Sequence, residues 1–239
     1  MARFDDALAY VEDLIRAGGP GYVCHVDAHG IVTAQDDPVL ARALAEATLA
    51  ATDGMPLVWL GRWRRMTAER VYGPDFMRAL LARTAAWRDR ECRHFFYGAS
   101  PEVLDRLIDR VRQTYPGICI AGSIAPPFRP MTPEEELADI RAVEAAAADV
   151  LWVGLGLPRQ ELWMARNRPR SRTPAMIGVG AAFDFLAGSK PQAPAFLRAH
   201  GLEWAFRLAT EPRRLAGRYL ETVPRFLAIA ARDLAARRR

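Results

Sequence analysis

Short apolar runs of four to six residues recur along the chain, separated by longer stretches whose apolar positions repeat at helical spacing. Asp5 to Ala17 predicts a helix that stops at Gly18-Gly19-Pro20. Tyr22 to Val26 and Ile31 to Thr33 predict two short strands around Asp27-Ala28-His29-Gly30, a hairpin signal. Pro38 to Ala51 predicts a helix capped by Asp36 or Asp37. Met55 to Leu60 predicts a buried strand, and Asp75 to Arg90 a helix. His94 to Tyr97 predicts a strand, followed by a helix from Pro101 to Tyr115 and a strand from Ile118 to Ala121. Thr132-Pro133-Glu134-Glu135 opens another helix with a hydroxyl cap, a first-turn proline and first-turn acids. A strand at Asp149 to Gly154, a helix at Pro158 to Asn167 and a strand at Ala175 to Val179 follow.

Continuous apolar strands imply burial on both faces. The expected fold class is therefore α/β, a mainly parallel sheet with helices on both faces. After about residue 194 the alternation stops and only arginine-rich helices follow. The expected division is a sheet domain over residues 1–194 and a helical appendage over residues 195–239.

Composition narrows the class. A hydrophobic fraction of 51% supplies a core and argues against disorder. No apolar run is long enough to predict a transmembrane helix, and the acidic, amphipathic start does not read as a signal or transit peptide. Cys24, Cys92 and Cys119 are scattered, with no CxxC pair, so neither a disulfide framework nor a zinc site is expected, and a reducing cytoplasm fits. The net charge of +5 is concentrated at one end. From Arg198 onward ten arginines face four acids, whereas the other 197 residues carry 23 basic and 24 acidic groups. These arginines alternate with Phe206, Leu208, Leu215, Tyr219, Phe226 and Leu227. That pattern suits an anionic membrane surface better than nucleic acid.

In open parallel sheets, ligands bind beyond the carboxyl ends of the strands. Several polar or glycine positions follow predicted strands: Thr33 and Gln35, Asp53, Gly98-Ala99-Ser100, Gly122-Ser123, Gly154-Leu155-Gly156, and Gly178-Val179-Gly180 with Asp184. The turn VGLGLPRQE lets backbone approach an anion at a helix N-terminus, or serves only as a tight strand–helix turn. It does not continue as a dinucleotide fingerprint, because Pro158 and Arg159 stand where that motif should run on. Lys190 follows no GxxxxG, so no Walker A motif exists, and no cofactor is expected. Asp53 reads either as a turn former before Gly54 or as a general base beside arginines that suit a diphosphate. The histidines His25, His29, His94 and His200 show no metal-ligand spacing, and no DxD stretch ends a strand, so no metal is expected.

The segments TDGMPLVW, ERVYGPDFM, FFYGAS, ADVLWVGLGLPRQELWM, IGVGAAFDFLAGSKPQAP and GLEWAFRLATEPRRLAGRY occur in this order over roughly residues 30–235. Together they resemble the WecG/TagA/CpsF glycosyltransferases of bacterial surface-polymer synthesis. The resemblance implies a Rossmann-like sheet and a C-terminal appendage that helps close the active site. It implies metal-independent, inverting transfer from a UDP-sugar to a lipid-diphosphate-linked acceptor, by a protein peripheral on the cytoplasmic face of the membrane. N-acetylmannosamine is the commoner donor sugar in such a family, with glucose in some members. Carried over by motif, Asp53 becomes the base. Thr33, Gln35, Arg70, Gly98, Gly156, Gln160, Glu161 and Asp184 become substrate-binding residues, with Asp184 near the nucleotide base. Arg207, Arg213, Arg214 and Arg218 become candidates for the diphosphate. The sequence departs from the family pattern at Gln35, where asparagine is usual, and at Gln192, where arginine is common. It departs also at Gly217, where another basic residue is frequent, and in lacking a clear strand before the Asp5 helix. These departures keep open a catalytically degenerate nucleotide-sugar-binding or membrane-associated scaffold. Association into a homo-oligomer also stays open.

Overall fold

The computed structural model describes residues 3–236; Arg237, Arg238 and Arg239, counted above in the basic end, lie outside the described residues. Helix α1 (Phe4–Ala17) leads into β1 (Gly21–Val26), α2 (Ala28–Asp36), α3 (Pro38–Ala45) and β2 (Leu49–Thr52). Helices α4 (Met55–Trp63) and α5 (Gly73–Ala85) precede β3 (Arg93–Gly98), α6 (Pro101–Thr114) and β4 (Cys119–Ile124). Then come α7 (Pro133–Ala145), β5 (Val150–Gly154), α8 (Arg159–Asn167), β6 (Ala175–Gly178) and α9 (Ala182–Ala187). The chain ends in α10 (Ala195–Ala199), α11 (Glu203–Thr210) and α12 (Pro212–Ala236). No strand precedes α1 among the described residues.

The six strands form one all-parallel sheet in the order β2-β1-β6-β5-β3-β4, a Rossmann-like α/β architecture. Strand side chains alternate between two cores, as the two-residue period of a strand requires. Val23, Phe96, Val150, Trp152, Ala175 and Ile177 meet α1, α5, α6 and α9 on one face. Tyr22, Cys24, Phe95, Tyr97, Leu151, Val153 and Met176 meet α7, α8 and Phe226 of α12 on the other. Burial on both faces explains why these strands read as unbroken apolar runs.

Three local predictions fail, all between residues 28 and 63. Ile31 to Thr33 lies inside α2 and forms no strand or hairpin. The Asp27 carboxylate caps that helix by accepting from Gly30 N at 2.8 Å, and α12 packs along it. Those contacts override the strand preference of Ile, Val and Thr. The predicted helix from Pro38 stops at Ala45, and Leu49–Thr52 pairs with β1 instead. There, ladder hydrogen bonds to Val23–Val26 outweigh the helix preference of an alanine-rich run. Met55–Leu60 is helical, not a strand: Pro56 sits in the first turn, and Leu57, Val58 and Gly61 are buried while Trp59 and Trp63 face outward. Elsewhere the predicted elements are present with shifted ends. Asp37 caps α3, and Thr132 and Glu135 form a reciprocal capping box on α7.

The chain leaves β3 toward the sheet edge at β4 and leaves β5 toward β6, although β3 and β5 are neighbours. Their carboxyl ends therefore flank a topological switch point, where a crevice opens. Gly98, at φ +134°, ends β3 there, and a Cβ on it would lie 2.6 Å from the Gly154 carbonyl oxygen. A side chain at Gly98 would push these two strand ends apart.

Trp152 sits at the sheet centre, fully buried, donating from Nε1 to His94 Nδ1 at 3.1 Å. Trp152→Ala should cost about 3–5 kcal/mol through the cavity it opens and the orphaned imidazole acceptor. Urea unfolding of the variant against the wild type measures this.

Candidate active site

The cleft at the carboxyl edge of the sheet has a volume of about 470 Å³, within the range of small-molecule sites. The ends of β1, β2, β3, β5 and β6 supply its floor, and α11 and α12 supply one wall. Of the residues predicted from sequence, Asp53, Gly156, Gln160, Asp184, Arg207, Arg214 and Arg218 line it. Arg70 stands behind Asp53, and Glu161 and Gly98 support the floor from beneath. Thr33, Gln35 and Arg213 do not line the cleft. Thr33 donates to the His29 carbonyl within α2 at 2.9 Å, and Gln35 and Arg213 face solvent.

Asp53 follows the last residue of β2 and precedes the N-terminus of α4. Its backbone N–H donates to Val26 O at 2.9 Å, which fixes it to the end of the neighbouring strand. Among the described residues the carboxylate makes only long hydrogen bonds: Oδ1 from Arg70 Nη2 and Oδ2 from Gly73 N, each at 3.4 Å. Burial raises its pKa to about 7, against the lowering pull of Arg70, with Asp27 and Glu203 adding to the rise. The side chain keeps about 21% of its surface exposed, toward the cleft. A carboxylate in this state accepts a proton near neutral pH.

Arg70 is shared. Its Nε donates to the Asp53 carbonyl at 2.5 Å and its Nη2 to Glu203 Oε2 at 2.6 Å, while its guanidinium stacks over the Tyr72 ring at 4.1 Å. Glu203 is buried and also accepts from the Tyr72 hydroxyl at 2.8 Å. That hydroxyl accepts from Gln192 Nε2 at 3.2 Å, and Gln192 Oε1 accepts from Arg78 at 2.8 Å. Gln192 thus links two side chains by donating and accepting at once, which a guanidinium in its place could not do.

Gln160 clamps the glycine turns. Its Oε1 accepts from Gly156 N at 3.1 Å and Gly180 N at 3.0 Å, and its Nε2 donates to Glu161 Oε1 at 2.8 Å. Both glycines hold positive φ. These two amides are therefore satisfied internally. Arg159, Arg207, Arg214, Arg218 and Lys190 all reach the lining. Lys190 is held by Asp184 at 3.0 Å, and Arg214 by Glu211 at 2.7 Å. The buried Nε of Arg207 has no partner among the described residues.

His25, Asp27, Tyr72 and Glu203 also belong to the site, and sequence reasoning did not single them out. Asp27 was hidden by the hairpin reading, although it directly follows a strand. Glu203 lies in the GLEW segment, where its type gave no sign of burial. His25 Nδ1 lies 2.9 Å from Gly178 O; a carbonyl only accepts, so Nδ1 carries the proton and Nε2 is a bare acceptor. Burial lowers the His25 pKa to about 4, so the ring is neutral at pH 7. Among the described residues, no three His, Cys, Asp or Glu side chains gather to hold a metal ion. No helix among them is long and apolar enough to cross a membrane.

These features describe an α/β cleft with a partly exposed carboxylate of raised pKa and an arginine-lined wall. The chain matches the glycosyl transferase WecG/TagA/CpsF family over residues 1–239 and belongs to that family. It is 30% identical over 195 residues, 81% of its length and 72% of the relative's, to a Bacillus spizizenii protein. That relative is named N-acetylglucosaminyldiphosphoundecaprenol N-acetyl-β-D-mannosaminyltransferase.

Glu161 is fully buried beneath the clamp, and burial raises its pKa from 4.5 to about 7. The folded state therefore holds its proton more tightly than the unfolded chain. Its contribution to stability is full below about pH 4.5 and is lost as pH rises through about 7. Glu161→Gln removes that loss, so its melting temperature should exceed the wild type's by about 2–4 °C or more at pH 8. The gap should shrink at pH 5. An equal gap at both pH values, by calorimetry, would contradict this reading.

Proposed function

We propose that the protein is an inverting glycosyltransferase that moves N-acetylmannosamine from its UDP-linked form to N-acetylglucosamine on a polyprenyl diphosphate. Family membership and the relative's name support the sugar and the acceptor. The observation that carries the chemistry is the Asp53 carboxylate on the cleft floor, with long hydrogen bonds and a pKa near 7.

In this reading the acceptor hydroxyl oxygen attacks the anomeric carbon in line as its proton passes to Asp53. The bond from that carbon to the diphosphate oxygen breaks, and UDP leaves with the electron pair. Single displacement inverts the anomeric configuration. Arg207, Arg214 and Arg218 take the diphosphate charge that a metal takes in other enzymes, and their guanidinium forks suit phosphate oxygens. Asp184 and Lys190 flank the nucleotide. Gln160 keeps the glycine turns in a fixed shape, so that positioning supplies much of the rate.

Residues 195–239 act in this proposal as an appendage that closes the cleft and rests on anionic lipid. The supporting features are the exposed Leu220, Val223 and Leu227 of α12 and exposed arginines such as Arg213. The protein is then peripheral on the cytoplasmic face, where a lipid-linked acceptor is met.

Asp53→Asn should lower kcat by two or more orders of magnitude with UDP-N-acetylmannosamine and a synthetic lipid-diphosphate N-acetylglucosamine acceptor. Wild-type kcat/KM should fall below about pH 7, and chelator should leave the rate unchanged. Full activity in the asparagine variant removes Asp53 as the base. Loss of activity on chelation removes the metal-free mechanism.

A further inference from the structure

We propose that Glu203 is a positioning residue that holds the Arg70 guanidinium off the Asp53 carboxylate, so that docking of the C-terminal helices readies the base. This rests on the reading of Asp53 as the base.

The geometry of Arg70 motivates it. An arginine beside an aspartate tends to close on both carboxylate oxygens in a two-pronged ion pair. Here it does not. Nη2 makes its short bond, 2.6 Å, to Glu203 and leaves Asp53 Oδ1 at 3.4 Å. Nε is engaged by the Asp53 backbone carbonyl, not by the carboxylate. Both Asp53 oxygens are left with weak donors, so the carboxylate keeps the basicity that burial confers.

Glu203 is built to hold this position. It is 7% exposed, and its second oxygen is fixed by the Tyr72 hydroxyl. Tyr72 is fixed in turn by Gln192 and by the guanidinium stacked on its ring. Glu203 opens α11, and the turn before it packs onto α4, where a Cβ on Gly201 would lie 3.1 Å from Met55 and 3.2 Å from Trp59. Seating the C-terminal helices therefore delivers one buried negative charge beside Asp53. When Glu203 withdraws, Arg70 is free to close on Asp53 and weaken it as a base.

The other groups facing Asp53 do not duplicate this effect. Asp27, capping α2, adds negative charge but forms no hydrogen bond or ion pair with Arg70 among the described residues. His25 is neutral at pH 7. Arg207, Arg214 and Arg218 line the cleft from α11 and α12, and among the described residues none of them hydrogen-bonds Asp53 or Arg70. Gly73 N and the Tyr72 hydroxyl carry no charge.

The test uses the full chain with UDP-N-acetylmannosamine and the synthetic acceptor, and compares wild type, Glu203→Gln and Glu203→Asp. The amide of Glu203→Gln still accepts from Tyr72 but no longer competes for Arg70 by charge. Its acid limb in kcat/KM should move down by about one pH unit or more. Its plateau rate should fall, because a weaker base removes the proton less well. Glu203→Asp, which keeps the charge, should return the limb toward the wild-type position. The Asp53 carboxyl titration, read by carbon NMR in wild type and Glu203→Gln, reports the same coupling without turnover. A Glu203→Gln enzyme that slows with both limb and titration unmoved would overturn the proposal and leave Glu203 a structural residue. A shifted carboxyl titration with an unshifted rate profile would instead uphold the coupling and reject Asp53 as the base.

Discussion

One guanidinium shared between two carboxylates organises the site. Arg70 bonds the backbone and faces the side chain of Asp53 at the end of β2, and it bonds Glu203 at the start of α11. A buried charge is tolerated only when paired and hydrogen-bonded, so Arg70 supports the buried Glu203 directly, while Asp53, with a contact of 3.4 Å, meets its burial through a raised pKa. The cation also joins distant parts of the chain. The sheet supplies Asp53, the loop before α5 supplies Arg70 and Tyr72, and the C-terminal helices supply Glu203. The cleft between the sheet edge and the C-terminal helices is braced where these groups meet.

The second constraint is the crowding of strand ends at the switch point. Gly98 and Gly154 approach so closely that a Cβ at either would collide, with the Gly154 carbonyl or with Phe183 respectively. Gln160 then reaches across from α8 and satisfies two turn amides with one oxygen. In dinucleotide-binding folds such amides meet a pyrophosphate directly. Here a side chain occupies them, and the arginines that line the cleft come from α8, α11 and α12.

Much of the fold was legible in the chain. Strands such as Val150–Gly154 are buried on both faces, and only continuous apolar side chains tolerate that, so their sequence carries a plain signal. Helix starts at Asp37 and Thr132 were legible because caps are local, made within three or four residues. The stretch from residue 28 to residue 63 was not, because β-branched, alanine-rich and short apolar runs are each compatible with helix or strand. For the first two the outcome was set by contacts with α12 and β1, which a local pattern does not contain.

The site divides along the same line. Sequence by itself determined that Gln160 and Asp184 follow strand ends and that the terminal arginines cluster, since residue order in an alternating α/β chain carries strand ends to one edge; the strand that ends just before Asp53 emerged only with the structure. It also determined the family, through motifs whose order and spacing are properties of the chain. Only the tertiary structure decided that Thr33 and Gln35 stand away from the cleft, that Glu203 is buried beside Asp53, and that Arg70 is divided between them. Those are distances between residues up to 150 positions apart. Burial, and with it the raised pKa of a carboxylate, exists only once the chain has closed around it.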